Sequence, residues 1–259
     1  MSIAFVDLFA RLRRERPLVH NLTNDVVTSL TANALLAVGA SPAMVVAREE
    51  VAEFVAHAAA LVINIGTLTA SSLDAMLVAA EAAARARVPW VLDPVAVGAT
   101  AFRREAVARL LEHHPTVIRG NASEVLALAT GERHGRGVDA EGGTDADAAR
   151  ALARRTGSVV AATGPIDVVT DGERTLRIHN GHPSLTRLTG AGCTATALTG
   201  ALLGSGAPPL EAAAAALVLL GVAGERAADE RPGTFAVRLL DELGTLTPEA
   251  LATAARCEA

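Results

Sequence analysis

Short apolar runs alternate with longer stretches of helical periodicity along most of the chain. Runs rich in Val and Ile, without polar alternation, predict strands buried on both faces and therefore a mostly parallel sheet. On this pattern strands are expected at residues 17–20, 41–45, 60–65, 89–92, 116–119 and 158–162. Helices are expected at 25–38, 48–58, 71–86, 103–111, 122–129 and 145–155. Repeated βα units of this kind build a three-layer α/β/α sandwich. Residues 167–170 and 175–179 flank Asp171-Gly172, which predicts a tight hairpin. Beyond Gly190 the pattern is helical almost to the end, and residues 131–143, rich in glycine and charge, read as a mobile surface loop. No repeat or linker divides the pattern, so a single domain over 1–259 is expected.

Composition narrows the function classes. Hydrophobic residues make up 51% of the 259, enough for a large buried core. Aromatics are only 2%, with Trp90 the single tryptophan and no tyrosine, which argues against base-stacking platforms. The net charge of −5 disfavours polyanionic partners such as nucleic acid or an acidic membrane surface. No lysine occurs, so phosphate must be met by arginine, a metal or a helix N-terminus. Cys193 and Cys257 form neither a disulfide nor a metal pattern. The first sixteen residues are amphipathic and unlike a signal peptide, and 212–223 is too short to span a bilayer, so a cytoplasmic protein is expected.

Ligands of open α/β sheets bind beyond the carboxyl ends of the strands, and here those ends are polar. Asn21, Thr23 and Asn24 follow the first strand; Asn64, Gly66 and Thr67 the third; Asp93 and Pro94 the fourth. Arg119, Gly120, Asn121 and Glu124 follow the fifth strand, and Thr163-Gly164 the sixth. Leu188-Thr189-Gly190-Ala191-Gly192-Cys193 opens a helix, so its backbone N–H groups suit an anion and Cys193 falls where a thiol pKa is lowered. The same glycines also read as a plain turn beside a buried cysteine. Asn121 and Glu124 are spaced as a capping box, and equally as part of a Mg²⁺-phosphate site with Asp93. Arg119 reads either as a phosphate ligand or as a side chain reaching the surface; His20, His179 and His182 are not spaced as metal ligands on one helix, and most read as capping or loop residues. Met44, closing an apolar strand, reads by itself as core.

Together these segments resemble the hydroxyethylthiazole kinases of the ribokinase-like superfamily. The resemblance rests on Pro17 through Asn24, Thr31 through Met44, Asn64-Ile65-Gly66-Thr67-Leu68 and Leu92-Asp93-Pro94-Val95 with Gly98-Ala99-Thr100. It continues through Ile118 to Glu124, Gly137-Val138-Asp139, Ala162-Thr163-Gly164 with Asp167, and His179-Asn180-Gly181-His182. Thr189-Gly190-Ala191-Gly192-Cys193 and Pro232-Gly233-Thr234-Phe235 complete it, in the family's order. The resemblance implies a ribokinase-like fold and transfer of the ATP γ-phosphoryl to 4-methyl-5-(2-hydroxyethyl)thiazole, for thiamine salvage. It further implies Mg²⁺ and a homotrimer with active sites between subunits. Carried over, Met44 and Gly190 line the thiazole pocket with Asn24, Gly66 and His182 nearby, and Arg119 and Thr163 contact ATP. Asp93 and Glu124 stand near Mg²⁺, and Gly190, Ala191, Gly192 and Cys193 form the anion hole. Cys193 holds the place where superfamily relatives often carry an aspartate base, and is expected to take the alcohol proton late or to orient the hydroxyl.

Three rival readings remain at the level of sequence. A hydroxymethylpyrimidine-type kinase is disfavoured by the Asn21–Asn24 entry and by cysteine at position 193. A nucleotide-dependent dehydratase of hydrated nicotinamide cofactors would share the fold and the glycine turn. A non-catalytic thiazole sensor would have no use for Asp93, Arg119, Glu124 and the glycine turn together.

Overall fold

The computed structural model of the protein describes residues 2–131 and 144–259. Gly137-Val138-Asp139 and nearly all of the expected 131–143 loop lie outside the described residues. Six strands run parallel: β1 (Leu18–Leu22), β2 (Ser41–Ala43), β3 (Ala60–Asn64), β4 (Trp90–Asp93), β5 (Val117–Asn121) and β6 (Val159–Thr163). Three more, β7 (Asp167–Thr170), β8 (Thr175–Ile178) and β9 (Cys257–Glu258), extend the same sheet antiparallel. The order is β2-β1-β3-β4-β5-β6-β7-β8-β9. The chain steps outward from β1 to β2 and then returns to the other side of β1, so the topological switch point lies between β1 and β3. Crevices at such points are where open α/β sheets bind ligands.

Helices cover both faces. On one lie α1 (Ser2–Glu15), α2 (Thr28–Val38), α8 (Ala191–Gly204), α9 (Pro209–Arg226), α10 (Pro232–Thr245) and α11 (Pro248–Ala254). On the other lie α3 (Val51–Val55), α4 (Ala70–Ala86), α5 (Ala101–Leu111), α6 (Ala122–Thr130) and α7 (Ala146–Thr156). Strand side chains alternate between the two cores, as the pleat requires. Ala60 and Val62 face α8 while Leu61 and Ile63 face α4; Val91 and Leu92 divide in the same way.

The helix α8 lies against the sheet through a stripe of residues four apart: Gly192, Thr196, Gly200 and Gly204. A Cβ on Gly200 would come within 2.6 Å of Val62 Cγ2, and one on Gly204 within 3.1 Å of Ala59 and Pro17. Small residues at helical spacing therefore set the short distance between helix and strand ends.

Several boundaries differ from the sequence pattern. The edge strand β2 stops at Ala43, leaving Met44 on the following loop and half-buried rather than in the core. Only Val51–Val55 of the expected 48–58 helix forms. The hairpin after β7 is a four-residue loop: Asp171 accepts hydrogen bonds from the backbone N–H of Glu173 and Arg174, and Thr170 and Arg174 close it. The terminal strand β9 carries no apolar signal of its own. It is held by Arg256, whose guanidinium donates to Glu225 and to the His179 carbonyl while its N–H donates to Asn180.

Candidate active site

The rows of strand residues facing α8 are apolar until their last member and polar there. Val62 is followed two residues on by Asn64, Val91 by Asp93, Val117 by Arg119 and Ala161 by Thr163. Register pairs Asn64 with Asp93, while Arg119 pairs with Ala161 and Thr163 stands further along, opposite Asn121. They meet the first turns of α8.

Asn64 is the hub. Its amide nitrogen donates to Asp93 Oδ2 at 2.9 Å and to Cys193 Sγ at 3.2 Å. Its Oδ1 accepts from Asn24 Nδ2 at 2.8 Å and from the Gly66 N–H at 2.9 Å. The Asn24–Asn64 bond thus crosses the switch point. Asn24 Nδ2 also lies 3.6 Å from Cys193 Sγ. Gly66 is required here, because a Cβ would fall 2.5 Å from Asn24 Nδ2.

Asp93 is fully buried. Its Oδ2 accepts from Thr196 Oγ1 at 2.7 Å and lies 3.7 Å from Arg119 Nη1, while its Oδ1 has no hydrogen-bond partner. Burial raises its pKa against the pull of Arg119, Thr196 and Asn64. Arg119 is buried too, and its Nη2 donates to Thr163 Oγ1 at 2.6 Å. Its guanidinium lies against Gly192, where a Cβ would stand 2.5 Å from Nη1. The arginine therefore faces the N-terminus of α8 rather than the surface.

Glu124 serves the capping box foreseen in the sequence: Asn121 Oδ1 accepts from the Glu124 N–H, and Glu124 Oε2 from the Asn121 N–H, both at 2.8 Å. Its other oxygen accepts from the Ala96 N–H at 2.8 Å. Burial and the neighbouring Asp93 charge both raise its pKa, with the two N–H groups and Arg119 opposing.

Gly190 caps α8 at φ 95°, a left-handed conformation, and a Cβ there would come within 2.7 Å of Val27 Cγ1. The N–H groups of the first turn are those an α-helix leaves without intrahelical partners. Cys193 does not have the lowered pKa its helix position predicts: burial, then the Asp93 charge, push the thiol up despite Arg119 and the two amide donors. Desolvation outweighs the helix terminus, so the group is a thiol at neutral pH.

A cavity of about 490 Å³ opens from this cluster, lined by Asn24, Asn64, Thr67, Asp74 and Arg48 among others. A concavity of about 510 Å³ beside Arg11, Arg16 and His57 lies at the opposite, amino ends of the strands, away from the polar row. The polar row and the switch point decide between them.

The model of the hydroxyethylthiazole kinase family matches residues 9–249. The chain belongs to that family. It is 55% identical over 252 residues to hydroxyethylthiazole kinase of Cereibacter sphaeroides, covering 96% of each chain. To the enzyme of that name from Leptospira interrogans it is 48% identical over 249 residues, covering 94% of each. The structure of the Pyrococcus horikoshii hydroxyethylthiazole kinase protein superposes with a TM-score of 0.89 at 40% identity, over 98% of both chains. The ADP complex of Bacillus subtilis pyridoxal kinase shares the fold, with a TM-score of 0.60 at 18% identity over 83% of this chain and 93% of that one. The fold is accordingly ribokinase-like and the protein a kinase, with ATP as co-substrate.

Within this kinase fold, the residues read from the sequence divide into three groups. Asn24, Gly66, Asp93, Arg119, Thr163, Gly192 and Cys193 converge on the hub or adjoin it. Glu124 joins through the loop after β4, and Gly190 and Ala191 open α8 beside it. Met44 and His182 do not reach the hub. Met44 sits on the loop whose Val45 carbonyl is 2.7 Å from His20 Nε2, and His182 caps its own 3-10 turn, Pro183–Arg187, through Ser184. His20 lies in β1, within the strand expected at 17–20, fully buried and edge-on to Phe54, and burial lowers its pKa. Sequence reasoning missed Thr196 as a site residue and missed Asn64 as the hub. Thr196 lies three residues past Cys193 on the same helical face, a spacing visible in the sequence. Among the described residues no helix is long and apolar enough to cross a membrane.

Proposed function

We propose that this protein transfers the γ-phosphoryl of ATP to the hydroxyl of 4-methyl-5-(2-hydroxyethyl)thiazole, in thiamine salvage. The observation that carries the reading is family membership over residues 9–249, joined to a polar row in which each member has phosphoryl-transfer chemistry to perform. Arg119, held by Thr163 and Asp93, meets the phosphates of ATP, and Thr163 borders them. Gly190, Ala191, Gly192 and Cys193 hold the moving phosphoryl by backbone N–H groups, dipoles fixed before reaction begins. Met44, Gly190, Asn24, Gly66 and His182 bound the thiazole pocket, and for Met44 and His182, which make no hydrogen bond to the hub, the family resemblance alone supports the role.

Mg²⁺ fits the residues present. Asp93 Oδ1 is buried without a partner, and the Asp93 charge raises the cost of ionising Glu124, which a cation would relieve. Mg²⁺ takes few carboxylates and keeps several waters, so these two residues suffice to hold it. Asp93 and Glu124 would hold the ion, which would supply positive charge to offset that of the phosphates. Phosphoryl transfer depends on position and charge more than on a strong base. A neutral Cys193 thiol matches that demand by orienting the acceptor hydroxyl, whose proton leaves late. The protein works in the cytoplasm as a single-domain chain, assembled into a homotrimer with active sites between subunits.

The test is a coupled ADP-release assay with ATP, Mg²⁺ and the thiazole alcohol, run beside hydroxymethylpyrimidine, with the product mass measured and light scattering recorded on the same sample. Thiazole-dependent ADP and a monophosphorylated thiazole are expected. Folded, ATP-binding protein that leaves the thiazole alcohol untouched refutes the reading.

A further inference from the structure

Arg103 lies outside the polar row, on the first turn of α5, and its guanidinium is committed to the loops that carry two members of that row. Nη1 donates to the carbonyls of Ile65 at 2.5 Å and Val95 at 2.9 Å, and Nη2 donates to the Gly66 carbonyl. Ile65 and Gly66 directly follow Asn64, and Val95 comes two residues after Asp93. One side chain therefore ties the carboxyl ends of β3 and β4 together from beneath the site.

Among the described residues, no carboxylate pairs with Arg103, although eleven ion pairs occur elsewhere. A half-buried guanidinium bound only to backbone carbonyls acts as a fork that fixes their spacing. Its own position is set by Thr100, the N-cap of α5, whose Oγ1 accepts the Arg103 N–H at 3.2 Å. The loops it grips are those whose backbone aims the hub. The Gly66 N–H holds Asn64 Oδ1, and Ala96, next after Val95 and at φ 54°, donates its N–H to Glu124. Moving either loop shifts Asn64 against Asp93, or Asp93 against Glu124.

We propose that Arg103 is a positioning residue for phosphoryl transfer, setting the distance between the Asn64 and Asp93 ends of the site without touching substrate. The inference rests on the proposed thiazole-kinase function. Small displacements of reacting groups lower rates by about 100-fold, so the effect belongs in kcat. Lysine keeps the charge and reaches the region, but its point-like ammonium cannot span three carbonyls on two loops.

The experiment compares wild type, Arg103→Lys and Arg103→Ala for thermal midpoint, kcat, and KM for both substrates, each with and without added guanidinium. The expected result is a kcat lowered about 100-fold in Arg103→Ala, with KM for ATP within about twofold. Arg103→Lys should recover the thermal midpoint but not kcat, and millimolar guanidinium should restore part of the kcat lost in Arg103→Ala. A folded Arg103→Ala enzyme with kcat within twofold of wild type overturns the inference. So does parallel recovery of midpoint and kcat in Arg103→Lys, which marks a purely structural role. Active wild type with an unaffected variant refutes this inference alone, whereas wild type inactive on the thiazole alcohol refutes the proposed function and takes this inference with it. If Arg103→Ala does not fold, the split between midpoint and kcat in Arg103→Lys decides.

Discussion

Replacing Gly192 by alanine separates the geometry of the Arg119 site from its stability. The added Cβ would lie 2.5 Å from Arg119 Nη1, 2.8 Å from Nη2 and 3.0 Å from Cζ. No guanidinium tolerates such contacts, so Arg119 must swing away, and because it is the far end of a flexible side chain the movement itself is inexpensive. What is lost is its place. The 2.6 Å bond to Thr163 and the contact with Asp93 go with it, and the charge no longer faces the first turn of α8. A hydrogen bond to a charged group contributes about 1.5–3 kcal/mol, which at 1.36 kcal/mol per tenfold predicts a fall of roughly 10- to 150-fold in kcat/KM for ATP. Stability moves differently, because alanine is about 1 kcal/mol better than glycine inside a helix, offsetting part of the disturbed ion pair. Gly200→Ala on the same stripe is the control. Its Cβ would meet Val62 Cγ2 at 2.6 Å, an overpacked core contact that costs roughly 1–3 kcal/mol of stability with no change at Arg119. Steady-state kinetics and urea melts on both variants give the comparison. Wild-type kcat/KM for ATP in Gly192→Ala, or an equal kinetic loss in Gly200→Ala, refutes the reasoning.

Two other substitutions probe charge. Asp93→Asn keeps the shape but removes the negative charge that faces Arg119 and would hold a metal, so single-turnover rates with saturating ATP should fall by about 100-fold or more; a loss under threefold would contradict the role given to Asp93. Asp167, whose carboxyl accepts the Gly164 N–H, is raised by burial from 3.8 to about 6. A carboxyl whose folded pKa lies above its unfolded one penalises the fold most above the folded value, and the penalty fades as pH falls to the unfolded one. Asp167→Asn should therefore be more stable than wild type at pH 7.5 by up to about 3 kcal/mol, with the gap closing between pH 6 and 4; a constant difference across that range would assign it to packing instead.

The strand ends were the legible part of this site. Asp93, Arg119 and Thr163 each stand where an apolar run stops, and a parallel sheet brings such positions together. What the pattern concealed was which face each side chain takes. Strands buried on both sides show no alternation, so Val62 and Asn64 cannot be told from Ile63 as neighbours of α8 until both cores are seen. Asn64 therefore looked like one capping residue among several. Arg103 left no mark at all, because it bonds only to carbonyls, and every residue offers one. The Cys193 thiol was misjudged for a related reason: the helix terminus is visible in sequence, but the burial that raises the thiol, and the Asp93 charge that adds to it, come from the packed fold. At the far edge, β9 has no strand composition and forms because Glu225 and Asn180 anchor Arg256 beside β8.

The same geometry explains why the site is assembled before any ligand arrives. Asn64 uses both amide hydrogens and accepts two bonds, so its orientation is fixed by four partners on four segments. Arg119 is fixed by Thr163, Asp93 and the open space at Gly192. Asp93 is left with an unused acceptor, and a buried acceptor without a partner carries a penalty unless a ligand meets it. The fold thus leaves an unmet acceptor at the point where phosphate charge and its counter-ion would be brought together. Charge stabilisation of this kind is effective because the dipoles need no reorganisation during the reaction. A hub built from neutral amides, a hydroxyl and a protonated thiol can hold that carboxylate rigidly without adding negative charge, which leaves Arg119 free to stabilise a loose, highly charged phosphoryl transition state.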